Sequence, residues 1–272
     1  MSALRGAAGE GWLWLGGSLL LAVLSTNLAW FFRRPRTGAV GSLVADLVAW
    51  RFFPSLLQFL RLLYCIGLPF AALLWGRDAV VRRVLGLQVL ELPVLTVGQT
   101  GSYAVANWLD WARDLGWAVV LGVGTWGLLA LGWWTYRRAA AHPDGSGRMS
   151  AVHTSGWVCL GEAACHEAHW AFYRNAPVLV VGEYWGVWVG LSLVALEAAL
   201  NPFWREGLTA PERTPGQLLR VALAVISSAL FLLTENLWLA LAVHWGVSWG
   251  LAGLARVLPL VPDRRLDQTG VQ

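Results

Sequence analysis

The chain has 272 residues, of which 57% are hydrophobic and only 13% charged, with 19 tryptophans and a mean hydropathy of +0.55. Apolar runs that approach or exceed the roughly 20 residues needed to cross a hydrocarbon core make it a polytopic membrane protein rather than a soluble domain. The net charge of +4 rests on 20 basic residues, all arginine. They cluster at the ends of apolar runs, where the positive-inside rule accounts for them, so nucleic-acid binding is not indicated. The expected fold is an all-α, multi-pass bundle of about six to eight transmembrane helices in a plasma or inner membrane.

In chain order, residues 11–32 form a first apolar segment closed by Arg33, Arg34 and Arg36. With no small-residue cleavage site after a short core, it reads as a retained helix rather than a signal peptide. Residues 38–51, with Asp46 and Arg51, read as interfacial. A second span covers 52–76, interrupted by Arg61. Residues 86–115, with Glu91, Pro93, Asp110 and Asp114, read as a loop with interfacial or re-entrant pieces. Residues 116–136 span, and 142–150 form a loop. A charged helix follows at 155–175, and 177–200 makes the next span. A polar loop then runs to Pro215, and spans at 217–233 and 236–258 finish the bundle. Gly182, Gly186 and Gly190 recur every four residues and predict a smooth stripe for close packing. Cys65, Cys159 and Cys165 lie inside apolar runs with no paired-ligand spacing and read as buried packing residues. The organisation is N-terminal transmembrane and interfacial helices over 1–150, a core over 151–258, and a polar tail over 259–272.

The charged helix carries the densest chemistry. Glu162, His166, Glu167, His169 and Arg174 fall within thirteen residues. At 100° per residue from Glu162, His166 lies near about 40°, His169 near about −20°, Arg174 near about 120° and Glu167 near about 140°. Ala164, Cys165, Ala168, Ala171 and Phe172 fill the other side. Ionisable groups at membrane depth cost roughly 2.5–3.5 kcal/mol each on insertion scales, so this half must face protein or a wet cavity. Glu197 and His244 also sit in apolar contexts, and Ser248 shares the face of His244. Glu183 reads as interfacial, Glu235 as a carboxylate at the start of the last helix, and His142 and His153 as loop residues.

The last helix, Leu237-Trp238 leading to His244-Trp-Gly-Val-Ser248, resembles the third motif of the CAAX prenyl protease and bacteriocin-processing (CPBP, or Abi) family, a Leu-Trp-led helix with His-x-x-x-Asn. Phe172-Tyr173-Arg174 is similar to the end of that family's first motif, Glu-Glu-x-x-Phe-Arg. The stretch from Leu193 through Glu197 to Asn201-Pro202 falls where its second motif, Phe-x-x-x-His, belongs. The likeness covers about residues 155–255 and implies a CPBP-like core. The sequence departs from the pattern in an exchange: His169 stands where the family has Glu, Glu197 where it has His, and Ser248 where it has Asn.

The resemblance implies an intramembrane endopeptidase without a cofactor, embedded in membrane lipid and acting on a peptide or membrane-protein substrate. Glu197 would be the general base paired with His169. His244 would hold the water or the oxyanion with Ser248 in support, and Arg174 would orient a carboxylate or the substrate. Glu167 is the alternative base. Three other readings stay open. A metal site would use Glu162, His166 and His169 on one helical face, completed by His244 or Glu197. A non-catalytic scaffold would bind a helix or a lipid tail. A transporter would use the buried charges as a proton relay, although no internal repeat supports it.

Overall fold

The computed structural model describes residues 2–33, 38–75, 85–87, 102–140, 155–210 and 213–257. The elements among them are all helical: α1 (Ser2–Arg33), α2 (Ala39–Ala49), α3 (Phe53–Trp75), α4 (Ser102–Ala140), α5 (Gly156–Val181), α6 (Glu183–Leu200), α7 (Pro202–Thr209), α8 (Thr214–Thr234) and α9 (Leu237–Val257). Five of these, α1, α3, α4, α8 and α9, are long and apolar enough to cross a membrane. The bent pair α6–α7 makes a sixth if it is counted as one span. The chain is a multi-pass integral membrane protein, at the lower edge of the expected helix number. The expected loop at 142–150 and tail at 259–272 lie outside the described residues.

The helix missing from that count, α5, sits at the centre. From Ala163 to Val178 its side chains are buried or half-buried on every side. α1, α3, α6, α8 and α9 surround it, and α4 packs outside α8 and α9. The arrangement follows from the cost of charge in hydrocarbon: the most polar helix is shielded from lipid by the apolar ones. Ser155 caps its start by accepting from the Val158 amide, and Trp245 Nε1 of α9 donates to Gly156 O at 3.0 Å.

Several boundaries differ from the sequence reading. The charged helix does not stop before Pro177. It runs through that residue to Val181, and the break falls at Gly182, whose φ of 81° ends the helix. A proline removes one backbone donor, and close packing by neighbouring helices lets a buried helix tolerate that loss; Pro177 is fully buried. α6 then folds back on α5. A Cβ on Gly186 would lie 2.4 Å from Val178 Cα, and one on Gly190 2.8 Å from Arg174 Cα, so these two glycines let the backbones touch. Gly182 serves as the turn instead of extending the stripe.

Residues 102–115, read as loop, belong to the 39-residue α4. The polar loop before Pro215 contains α7, bent 81° from α6 and capped by Asn201, whose side chain accepts from the Phe203 and Trp204 amides. Glu235 does not start α9. It takes a left-handed conformation (φ 48°) at the end of α8, and Asn236 caps α9 through the Trp238 and Leu239 amides.

Candidate functional site

Apart from Glu162, the ionisable residues of α5 separate into two clusters on opposite sides of the helix. Toward α8 and α9, Glu167 Oε1 meets His244 Nδ1 at 2.9 Å, and Glu167 Oε2 accepts from Ser227 Oγ at 2.5 Å. Arg174, two turns along from Glu167, donates from Nη1 to Ser227 Oγ at 3.4 Å. Its Cζ lies 4.5 Å from the centre of the Phe231 ring. This face is dry: Glu167 and Arg174 are each 1% exposed and His244 4%. Arg174 is therefore enclosed within the bundle and does not reach toward an interface. Its Nε and Nη2 have no hydrogen-bond partner among the described residues. His166 stacks on His244, with ring centroids 5.7 Å apart and planes at 9°, and on Trp170 at 5.4 Å.

Toward α1, α3 and α6, His169 Nε2 meets Glu197 Oε2 at 2.9 Å. The Tyr173 ring lies 4.4 Å from the His169 ring and the Tyr64 ring 5.1 Å from it. Both tyrosine hydroxyls lie beside the Glu197 carboxylate. They are 3.3 Å from each other, and Ser18 Oγ donates to Tyr64 Oη at 3.3 Å. This face is more open, with the Glu197 side chain 21% exposed. The buried Nδ1 of His169 has no hydrogen-bond partner among the described residues. Ser18 also lines an apolar groove of about 350 Å³ with Leu13, Trp14, Gly17 and Leu68.

The expected residues are thus brought together in pairs and not in one site. His169 and Glu197 meet as the exchanged motifs predict. His244, expected to serve the same centre, is held by Glu167 on the other face. Ser248, one turn further along α9, is half-buried and makes no hydrogen bond among the described residues.

The three residues of the metal alternative go three ways. Glu162 makes a bidentate ion pair with Arg61 of α3, His166 stacks on aromatic rings, and His169 binds Glu197. Among the described residues no three His, Cys, Asp or Glu side chains gather as a metal-binding group. The three cysteines are free and buried, in keeping with packing roles.

Four contributors were not singled out from sequence: Ser18, Tyr64, Tyr173 and Ser227. Ser227 did carry a signal. Ser227-Ser228 lies deep in an apolar span, where a hydroxyl either bonds back along its own helix or finds a neighbour. Ser228 takes the first course, to Ala224 O at 2.9 Å, and Ser227 the second.

Comparison with known proteins finds no family model, no curated sequence and no solved structure that matches this chain. Fold and site together define a multi-pass integral membrane protein with two carboxylate–imidazole pairs flanking one buried helix.

Proposed function

We propose that the chain is an intramembrane endopeptidase in which Glu197, held by His169, activates a water molecule against a peptide bond at or within the membrane. The observation that supports this most is the 2.9 Å contact between His169 and Glu197 on the more open face of α5, with an apolar groove close by. A carboxylate with one oxygen fixed by an imidazole is positioned to use the other as a base. Glu197 takes a proton from water, and the water oxygen bonds to the carbonyl carbon. The carbonyl oxygen carries the resulting negative charge. When the C–N bond breaks, the proton passes from Glu197 to the departing amine, leaving a new carboxyl terminus and a new amino terminus. The CPBP-like motif order supports the same assignment.

A second reading has its own observation. Glu167 holds Nδ1 of His244, the arrangement by which a carboxylate orients a histidine base. The Glu167 side chain is 1% exposed and that of Glu197 21%, which favours Glu197.

The test is cleavage by purified protein in proteoliposomes, in water enriched in oxygen-18, followed by mass spectrometry of the products. The expected result is one heavy oxygen in the new carboxyl terminus with the wild type and no cleavage with Glu197→Gln. Equal cleavage by both proteins moves the chemistry to Glu167 and His244. Absence of cleavage by the wild type leaves the scaffold reading.

A further inference from the structure

Glu197 and His169 supply a base, but hydrolysis also needs donors for the charge that builds on the carbonyl oxygen, and Ser248 is not among the groups around this pair. We infer that the hydroxyls of Tyr64 and Tyr173 bind the oxyanion at the His169–Glu197 site. The inference rests on the endopeptidase reading and adds two catalytic residues to it.

Three observations carry it. First, the two hydroxyls lie 3.3 Å apart, on rings packed against the His169 imidazole at 4.4 and 5.1 Å. They therefore converge on one point beside the base.

Second, both hydroxyls face the Glu197 carboxylate, while their other contacts, to each other and to Ser18, are long at 3.3, 3.3 and 3.4 Å against about 2.7–2.8 Å for a well-made O–H···O bond. Once Glu197 has taken the proton from water it is a weaker acceptor, and both hydroxyls can turn to the oxyanion. A donor set in place at rest and engaged by the developing charge favours the transition state over the ground state.

Third, α3 is deformed where it delivers Tyr64. Its first part, Phe53–Leu62, buries no residue. At Leu63–Gly67 the ladder widens into a π turn, and here Tyr64 and the buried Cys65 turn inward against α5. Such turns are uncommon and are frequent at functional sites. The line of hydroxyls from the buried Tyr173 through Tyr64 ends at Ser18, which forms part of the groove wall, so a peptide segment in the groove must displace Ser18 for its carbonyl to reach the tyrosines.

The experiment uses full-length protein in proteoliposomes, a quenched-fluorescent library of Leu/Ala-rich transmembrane peptides with a variable central dipeptide, and a phosphonate analogue of the best-cleaved member. Tyr64→Phe and Tyr173→Phe are each expected to lower kcat about 100-fold, within the range for loss of one oxyanion donor. KM should stay within about threefold and phosphonate affinity should fall in proportion to kcat/KM, as expected for a contact made only in the transition state. If Tyr173→Phe does not fold, Tyr64→Phe, at a half-buried position, carries the test alone. Phenylalanine variants with unchanged kcat and phosphonate affinity, beside an inactive Glu197→Gln, would overturn the tyrosine assignment and leave the endopeptidase reading standing. A wild type that cleaves no library member, or a fully active Glu197→Gln, would remove both.

Discussion

The two faces of α5 carry the same pair of residue types in different surroundings. On the α8–α9 face, His244, Glu167, Ser227 and Arg174 form a continuous polar cluster that is almost wholly buried. On the α1–α3–α6 face, His169 and Glu197 meet at the same 2.9 Å, but the carboxylate is partly exposed, two tyrosine hydroxyls converge beside it, and a groove begins at Ser18, next to Tyr64. A buried polar pair holds helices in register even where neighbouring donors, such as Nε and Nη2 of Arg174, are left over among the described residues, because removing one partner strands the other in low dielectric. A pair with access to its surroundings is the one suited to act on something else. Identical contact distances therefore do not imply identical roles, and surroundings decide between them.

Substitutions should separate the faces, beginning with the largest effect. Glu197→Gln is expected to lower turnover by roughly 10²–10⁴-fold, the usual contribution of a general base, with little change in melting temperature. Glu167→Ala should do the opposite, destabilising the protein by about 3–5 kcal/mol in denaturation from mild detergent, because His244 and Arg174 lose their buried carboxylate. A Glu167→Ala protein that melts like the wild type would show that the dry cluster does not hold the bundle together.

Gly190→Ala comes next. Its methyl group would press on the Arg174 backbone and should cost about 1–3 kcal/mol, read as a lowered melting temperature. By pushing α6 outward it should also weaken the His169–Glu197 contact and leave Glu167–His244 intact, a difference visible in histidine ring NMR shifts. The smallest effect belongs to Glu162→Gln. Its ion pair with Arg61 is about one-third exposed, so its loss should change stability by less than about 1 kcal/mol.

How far the sequence foretold this site depends on the kind of side chain. The ionisable ones stood out because charge in an apolar run is costly and therefore conspicuous. That made the central helix, Glu167, His169, Arg174, Glu197 and His244 readable, and the exchanged motif positions anticipated the His169–Glu197 contact. The hydroxyl-bearing residues were harder to read. Ser18 and Tyr64 fit an apolar helix whether they point at lipid or at protein, and a π turn leaves no pattern in a run such as Leu63-Tyr-Cys-Ile-Gly67.

The separation of the faces was also hidden. A helical wheel puts Glu167 and His169 about 160° apart, but only the positions of α6, α8 and α9 decide which partner each one meets. Pro177 misled for a related reason: its cost within a helix is local, whereas the packing that offsets it comes from distant segments. Residues 102–115 read as a loop because Asp110 and Asp114 suggested an interface. They instead belong to α4: residues 102–108 extend it beyond its apolar span, and Asp110 and Asp114 fall in the first turns of that span, which runs from Leu109 to Tyr136.

The most direct measurement compares single-turnover peptide cleavage by Glu197→Gln and Glu167→Gln at equal amounts of folded protein in proteoliposomes. If the open face is the reactive one, Glu197→Gln is inactive and Glu167→Gln cleaves at a rate within about tenfold of the wild type, the span of a 1.4 kcal/mol change in barrier. An inactive Glu167→Gln beside an active Glu197→Gln would contradict that assignment and make the dry cluster the site of chemistry.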